Sequence, residues 1–248
     1  MRASRSLVAP LVAAAGLVAW GALASIAPLR RAVPTPAEMA ATTWEALTHA
    51  TLWLDAGATL ARVIAGVTLA SVVGLLAGVA CGQSARGYER TAPALDFIRS
   101  VPPVLMFPLG LMLLGYGEPA RVVTIAAGTW GIVAVEVATA LRHAPAAREE
   151  VLRVAGVSPW TRFWRVRAYE LLPGLFMGVR MALAAGMIVA VVGEMLVGVP
   201  HGLGARALDA QIAGRPDLLW LVIAASGLLG TALSRLVARI ERRVVRWR

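Results

Sequence analysis

Three ionisable side chains interrupt otherwise apolar segments. Charged groups are rare in such segments, so these three residues are the first candidates for a chemical role. Glu136, Arg180 and Glu194 each lie inside a hydrophobic run long enough to cross a bilayer. A charged group near the centre of such a helix costs at least about 2.5 kcal/mol, so these groups are usually paired, hydrated or functional. All three are therefore candidates for lining a polar path or a gate. Glu194 could instead lie at an interface between two subunits or at a solvated helix end.

Spacing limits which of these charges can meet. Arg180 and Glu194 are separated by about 21 Å along one helix, so they cannot pair within it. Arg180 lies about 10 Å beyond Pro173, and Glu136 about 9 Å before Arg142, measured from the same side of the membrane. We therefore predict that Glu136 and Arg180 approach each other at similar depth. The alternative is that Arg180 extends its guanidinium group to the cytoplasmic interface.

The chain carries no obvious catalytic machinery. Its histidines, His49, His143 and His201, are scattered and make no metal-ligand spacing. No nucleophile or acid–base pair stands out, although an intramembrane catalytic pair stays open. There is no GxxxxGK[ST] phosphate loop, so we expect no ATP hydrolysis and no bound cofactor or metal in this chain. A secondary transporter that uses the three charges for ion coupling is a further alternative, but no internal repeat supports it.

Composition places the chain in the membrane class. It is 58% hydrophobic and 15% charged, whereas soluble domains have about 25% charged residues. The net charge of +10 is carried by 24 basic residues, all of them arginine. In a soluble protein this charge would suggest nucleic acid. Because the arginines cluster between apolar runs, they indicate membrane topology instead, and we expect a lipid bilayer and no nucleic acid as the partner.

Hydropathy predicts an all-α polytopic membrane protein with about six transmembrane helices. A retained helix is favoured for the first run over a signal peptide, because the run is long enough to span the bilayer. Between the second and third runs, residues 83–95 are expected to form a polar loop. The predicted spans cover residues 7–27, 60–82, 99–117, 121–141, 174–197 and 218–236.

Local motifs refine this picture. Thr35, Pro36 and Glu38 make a capping box that predicts an interfacial helix to about residue 47. Pro102 and Pro103 predict a break or bend at the start of the third span, which could shape a pathway. The alternative is an ordinary helix N-terminus with proline in its first turn. Gly74 and Gly78 lie four residues apart in the second span, a spacing that lets helices approach closely. The single cysteine, Cys81, is expected to serve packing and excludes an internal disulfide.

Arginine distribution predicts the orientation. With the N-terminus inside, sixteen arginines fall on the cytoplasmic side and six outside, with Arg99 and Arg180 unassigned near span ends. This excess predicts that both termini are cytoplasmic. It also places the long polar run at residues 148–174 inside.

That polar run predicts two short helices joined by a tight turn. Gly156 suits a helix C-terminus, and Ser158 followed by Pro159 suits the next helix start. Trp160 and Phe163, with Trp164, fall at i, i+3 and i+4, so we expect them to share one face and present it to a partner. The alternative is that these aromatic side chains pack on the protein's own helices or lie among lipid headgroups.

The same run resembles the cytoplasmic Glu-Ala-Ala…Gly loop in permease subunits of bacterial ABC importers of the nitrate/sulfonate/taurine type. Two departures are Val151-Leu152 in place of the alanines and Ala168-Tyr169 in place of a first Leu-Pro. Further stretches resemble the family at Pro34-Thr35-Pro36, Arg99-Ser-Val-Pro-Pro, Gly-Val-Arg180 and Glu194-Met-Leu, while Glu136 stands where the family often has Asn. The matching loop positions are Glu150, Gly156, Val157, Ser158, Trp160, Phe163, Leu172 and Pro173.

The resemblance implies a function and a set of partners. The loop would act as a coupling helix that docks on an ABC ATPase subunit, which would hold the ATP and Mg²⁺. The permease would form a homodimer on two ATPase copies in the inner membrane and take a sulfonate, taurine, nitrate or similar solute from an extracytoplasmic binding protein. By the same likeness, Arg99, Pro102, Pro103, Glu136, Arg180 and Glu194 are pathway or gating candidates. The expected divisions are a first helix with its flank at 1–32, a permease domain at 33–238 and a basic tail at 239–248.

Overall fold

The chain is built from helices. The computed structural model describes residues 15–27, 29–143 and 146–246, and every regular element within these ranges is helical. The predicted all-α class is therefore confirmed. The helices are α1 (described over Ala15–Ser25), α2 (Pro36–Thr48), α3 (Ala50–Gly82), α4 (Ala85–Ser100), α5 (Met106–Leu114), α6 (Glu118–Arg142), α7 (Ala146–Val154), α8 (Pro159–Arg162), α9 (Ala168–Val197), α10 (Leu203–Ile212) and α11 (Pro216–Val244).

Four helical segments in the described ranges are long and apolar enough to cross a membrane. They are α3, α6, the segment Pro159–Val197 and α11. A fifth span results if α4 and the helical stretch Pro103–Leu114 count together, although the two are bent by 74°. The predicted first span lies partly outside the described residues, and within them an apolar helix runs over Ala15–Ser25. The prediction that this span is retained rather than cleaved also concerns residues outside the described ranges.

The polar stretch before the third span is a helix, so the predicted loop at 83–95 is wrong. Helix α4 begins where the Ser84 hydroxyl accepts a hydrogen bond from the Gly87 N–H at 3.0 Å. Leu95 is buried against Ala134 and Ala138 of α6. The helix was not predicted because the stretch has a low hydropathy. Only a narrow apolar side of the helix contacts the bundle, and its other residues are polar. The predicted bend is confirmed, because α4 ends at Ser100 and a 3₁₀ turn, Pro103–Leu105, leads into α5.

The predicted capping box at the start of α2 is confirmed. The Thr35 hydroxyl accepts a hydrogen bond from the Glu38 N–H at 3.2 Å, and the Glu38 carboxylate accepts one from the Thr35 N–H at 2.8 Å. The backbone hydrogen bond from Thr35 is the main cause that holds the pKa of Glu38 below its ordinary value. The cap therefore fixes where the chain enters α2, before it turns into α3.

The core lies where α3, α6 and α9 pack together. Gly74 and Gly78 of α3 face α6, and a Cβ atom at Gly74 would lie 2.6 Å from the Trp130 carbonyl oxygen. A Cβ atom at Gly78 would lie 2.7 Å from the Ala134 carbonyl oxygen. The two backbones can approach this closely only because glycine has no side chain, as the spacing predicted. Valines from the three helices, including Val63, Val137 and Val189, fill the centre.

Candidate functional site

The segment between α6 and α9 forms the predicted pair of short helices. Helix α7 ends in a Schellman motif, in which the Gly156 N–H donates to the Arg153 carbonyl and the Val157 N–H to the Leu152 carbonyl, both at 3.0 Å. Gly156 has φ +72°, a conformation that glycine adopts without strain. The Ser158 hydroxyl then accepts from the Thr161 N–H at 3.3 Å and caps α8. Both local predictions are confirmed.

The aromatic side chains of this segment divide between two environments. Trp160 is 71% exposed and Trp164 is 53% exposed, and their rings meet edge to face with centroids 5.7 Å apart. Phe163 contacts Trp164 from the other side but packs against the core. The expectation of one shared outward face therefore holds for the two tryptophans only. Val151 and Val154 are exposed as well, so α7 and α8 both present apolar side chains outward, next to the exposed charged pair of Glu150 and Arg153.

One ion pair and one hydrogen bond fix the segment to the bundle. Arg148 pairs with Glu170 at the start of α9 at 2.6 Å, and Arg167 donates to the Gln83 carbonyl at the end of α3. Glu150 is exposed and pairs with Arg153 one turn along α7, at 2.5 Å. These contacts set the position of α7 and α8 relative to two of the core helices.

A continuous helix connects this segment to the opposite end of the bundle. Residues Pro159–Val197 form one helical stretch of 39 residues, which passes through a π turn at Phe163–Arg167. Leu172 and Pro173 lie within α9 rather than at the end of a loop, so the predicted boundary at 174 is wrong. Proline removes only one hydrogen bond and packed neighbours can compensate for it in a membrane helix. The stretch is about 58 Å long at 1.5 Å per residue.

Near the far end of this helix, Glu194 is 1% exposed and fully paired. Arg62 Nη1 donates to its Oε1 at 2.6 Å, and the Gly204 N–H donates to its Oε2 at 2.9 Å. The Thr59 hydroxyl lies within 3.0 Å of both carboxylate oxygens. Glu194 is therefore not a solvated helix end, and its charge is compensated inside the protein.

The start of α10 docks on the same place. The Gly202 N–H donates to Asp55 Oδ1 at 3.1 Å, and the Leu203 N–H donates to Thr59 Oγ1 at 2.9 Å. Arg206 on α10 pairs with Asp55 Oδ2 at 2.8 Å. Amide N–H groups at a helix N-terminus favour negative charge, so buried carboxylates hold α10 against α3 and α9.

The network reaches the surface through α6. Arg62 donates two hydrogen bonds to Glu118, from Nη2 at 2.7 Å and from Nε at 2.8 Å, and Arg121 pairs with the same carboxylate. Arg121 also donates to the Tyr116 carbonyl at 3.2 Å. Three acids and three arginines thus balance one another. We call this set the buried ion cluster; its members are Asp55, Arg62, Glu118, Arg121, Glu194 and Arg206.

Sequence reasoning found only one member of this cluster. Arg62, Arg121 and Arg206 counted merely as charges outside the membrane. A usable signal was present, since Asp55, Thr59 and Arg62 stand at i, i+4 and i+7 and therefore share one helix face. A polar face of this kind on a membrane helix indicates an internal partner.

The predicted pairing of Glu136 with Arg180 does not form. Arg180 pairs with Glu241 of α11 at 3.5 Å instead. Glu136 lies where α6 crosses α9 at Gly174 and Gly178, and a Cβ atom at Gly174 would lie 2.6 Å from its carbonyl oxygen. The similar depth of Glu136 and Arg180 was inferred from the distance of each residue to the end of its own helix. Whether the two side chains face each other depends also on how the helices are rotated, and packing determines that rotation.

The pathway candidates lie in different places. Arg180 lines an open, mostly apolar groove of about 1080 Å³ between α9 and α11, with Met177, Met187, Met195 and Ser226. Arg99 borders another crevice of about 200 Å³ beside the bend at Pro102 and Pro103, and it pairs with Asp96 at 3.3 Å. Glu194 belongs to the buried ion cluster. The structure therefore does not bring Glu136, Arg180 and Glu194 together as one coupling site, and in the described ranges no group of three or more His, Cys, Asp or Glu residues could hold a metal.

Comparison with protein families gives one match over most of the chain. The family described as "Binding-protein-dependent transport system inner membrane component" matches residues 70–246. The matched part begins within α3 and includes α7, α8 and the groove between α9 and α11.

Similar proteins include permeases named for different solutes. The riboflavin transport system permease protein RibX of Chloroflexus aurantiacus is 30% identical, over 87% of this chain and 80% of its own length. The nitrate import permease protein NrtB of Leptolyngbya laminosa is 29% identical, over 78% of this chain and 69% of its own. The putative aliphatic sulfonates transport permease protein SsuC of Bacillus subtilis is 26% identical, over 87% and 78%.

A solved structure has the same fold. An inward-facing conformation of the MetNI methionine ABC transporter contains a chain that aligns with a TM-score of 0.63 at 23% identity. The alignment covers 80% of this chain and 98% of that chain. The helical arrangement described above is therefore one that ABC transporter permeases adopt.

Proposed function

This chain belongs to the family of binding-protein-dependent transport system inner membrane components, the permease subunits of ABC importers, and we propose from this premise how it works. It forms a homodimer in the bacterial inner membrane, with both termini cytoplasmic. Two copies of an ABC ATPase dock on its cytoplasmic side and hydrolyse ATP with Mg²⁺. An extracytoplasmic binding protein delivers the solute to the opposite side.

The exposed apolar surface of α7–α8 carries this proposal. Trp160 projects from the short capped helix α8 and Trp164 from the π turn that follows it, and Val154 of α7 is exposed as well. Tryptophan residues are enriched where proteins bind one another, since they bury a large area on docking. In this family the ATPase is a separate subunit, so the permease needs such a surface to receive its energy. We assign the ATPase-coupling role to Glu150, Gly156, Val157, Ser158, Trp160, Phe163, Leu172 and Pro173.

The continuous helix supports a mechanism of transmission. Its first turn is α8 itself, and Glu194 near its far end holds the start of α10. Packed helices switch between discrete arrangements rather than bend continuously. ATP-driven closure of the ATPases would move α8 and α9 together, and the groove between α9 and α11 would open to one side or the other. ATP would favour whichever arrangement the closed ATPases bind more tightly.

Arginine distribution supports the orientation. The sixteen arginines on the predicted inner side include those next to α7 and α8, and the six on the outer side include the three arginines of the buried ion cluster, Arg62, Arg121 and Arg206. An excess of arginine marks the cytoplasmic side of short loops. The proposed orientation therefore places the α7–α8 surface where a cytoplasmic ATPase can reach it.

The cargo is proposed to be a small solute of the sulfonate, taurine or nitrate group. The names of the nitrate and sulfonate relatives support this class, while the riboflavin relative shows how far solutes differ at similar identity. Ligand screening of the binding protein that co-purifies with this chain would name the solute.

Affinity purification from native membranes in mild detergent tests the proposal. We expect an ABC ATPase and a binding protein to co-purify with the tagged chain. The double variant Trp160→Ala/Trp164→Ala should lose the ATPase but keep its size-exclusion profile. Trp44→Ala/Trp53→Ala is the matched control, because it also removes two exposed tryptophans, from α2 and α3. Absence of an ATPase after crosslinking, or equal loss in both double variants, would contradict the proposed docking.

A further inference from the structure

The last turns of α11 have two adjacent stripes on their surface. One stripe is apolar and exposed, with Leu236, Ile240 and Val244 at successive intervals of four residues. The other stripe is basic and follows the helix at spacings of three and four residues. Its arginines are Arg235, Arg239, Arg242 and Arg243 on α11 and Arg246, which lies just beyond the end of the helix.

Within the described part of the chain, these arginines have no acidic partner. Among the residues that the structure describes, none of their guanidinium groups pairs with a carboxylate. Glu241, the acid in this stretch, faces α9 and pairs with Arg180. Arg246 donates only to the backbone carbonyl of Arg243, at 2.9 Å. Like charges on neighbouring turns repel one another, so an anion from outside the chain would stabilise this stripe.

An apolar crevice lies beside the stripes. Its volume is about 270 Å³, and it opens between α3, α9 and α11. Ile240 belongs both to the exposed apolar stripe and to the lining of this crevice. The helical positions of Arg239 and Arg243 are next to Ile240 in sequence and one turn beyond it. The other lining residues include Leu75, Leu175, Phe176, Val179 and Val237.

We propose that the end of α11 and this crevice form a binding site for an anionic phospholipid. One acyl chain lies in the crevice against Ile240, and the phosphate accepts hydrogen bonds from Arg239 and Arg243. Guanidinium groups bind phosphate oxygens with two parallel hydrogen bonds. An acidic protein surface would satisfy the arginines but would leave the apolar crevice of a membrane-spanning helix empty. The inference rests on the membrane location in the proposed function and needs neither the ATPase nor transport.

Native mass spectrometry of the purified full-length protein tests this site. Phosphatidylglycerol is titrated into the detergent-solubilised protein, with phosphatidylcholine as the neutral comparison. We expect wild type to prefer phosphatidylglycerol and Arg239→Gln/Arg243→Gln to bind it at least tenfold more weakly, with phosphatidylcholine binding unchanged. Arg86→Gln/Arg90→Gln is the matched control, because it removes the same charge from exposed arginines of α4. Arg239→Lys/Arg243→Lys should still prefer phosphatidylglycerol, since it retains the charge, but should bind it more weakly than wild type, since lysine loses the paired hydrogen bonds.

Several results would overturn the proposal. If the two Gln double variants weaken phosphatidylglycerol binding equally, the preference would be a general effect of net charge rather than of this site. Equal affinity of wild type for the two lipids would remove the basis for an anion site. A protein that co-purifies with wild type but not with Arg239→Gln/Arg243→Gln in the affinity purification, without any change in lipid binding, would assign the stripe to a protein partner. Because lipid binding is measured on the permease alone, failure of ATPase co-purification leaves this test intact.

Discussion

The substitution Glu194→Gln removes the charge that holds α10 in the bundle while nearly preserving side-chain volume. One carboxylate oxygen accepts from Arg62 at 2.6 Å and the other from the Gly204 N–H at 2.9 Å. A glutamine offers only one acceptor oxygen, so its NH₂ group must face one of these two donors. Loss of one partner from a buried pair costs about 3–5 kcal/mol. Because Arg62 keeps both hydrogen bonds to Glu118, we expect the lower end, about 3 kcal/mol.

Hydrogen exchange and unfolding measure this cost. If the loss appears as local opening of α10, the amides of Gly202 and Gly204 should exchange about 100-fold faster, since each 1.4 kcal/mol is a factor of ten. Unfolding in mixed detergent micelles, followed by circular dichroism, measures any loss in the free energy of unfolding of the whole protein. Asp96→Asn is the control, because it breaks an exposed pair with Arg99 at 3.3 Å and should cost less than about 1 kcal/mol.

A double-variant cycle separates the pair from its neighbours. Arg62→Gln alone should also be strongly destabilising, and combining it with Glu194→Gln should cost less than the sum of the two single changes, since the pair is lost only once. Exchange rates and unfolding of Glu194→Gln equal to those of Asp96→Asn would refute the reasoning. Full additivity of the two single changes would show that Arg62 and Glu194 contribute independently.

Three further predictions concern positions where the backbone decides the result. Gly74→Ala places a methyl group 2.6 Å from the Trp130 carbonyl oxygen and should cost about 1–3 kcal/mol in micelle unfolding, whereas Gly57→Ala meets no atom within 4 Å and should be neutral or stabilising. Equal effects would contradict the close helix packing. Gly156→Ala forces alanine into φ +72° and should cost about 1–2 kcal/mol, seen as faster proteolysis of the α7–α8 turn, with Gly57→Ala again as control. Thr35→Ala removes the hydroxyl cap of α2 and should cost about 1 kcal/mol, measured as faster amide exchange at Glu38; Thr35→Ser should retain the cap.

Local rules predicted the α7–α8 segment well. Gly156 and Ser158 act through residues only a few positions away, so their spacing is enough to predict the Schellman motif and the N-cap. The exposure of the aromatic residues was predicted less well, because the side on which Phe163 meets the core depends on how α9 is placed. The roles of these residues in coupling stay predictions.

Hydropathy predicted most of the spans but misjudged helices at the interface. The apolar runs form α3, α6, α9 and α11, because backbone N–H and C=O groups in a bilayer must form their hydrogen bonds within each helix. Helix α4 was not predicted because hydropathy detects segments that are buried in lipid, and a polar helix beside the bundle has a low hydropathy. The bend at Pro102 and Pro103 was predictable, because proline disrupts a helix wherever it occurs.

The sequence by itself determined that this chain is a helical membrane protein, where its main spans lie and how its α7–α8 segment turns, because lipid and local hydrogen bonding leave few alternatives. Only the tertiary structure decided which charges meet. Glu194 finds Thr59 across 135 residues and Arg62 across 132, and Arg62 reaches Glu118 across 56. Arg180 meets Glu241 rather than Glu136. Such pairings depend on the rotation and depth of packed helices, which spacing along one helix does not determine.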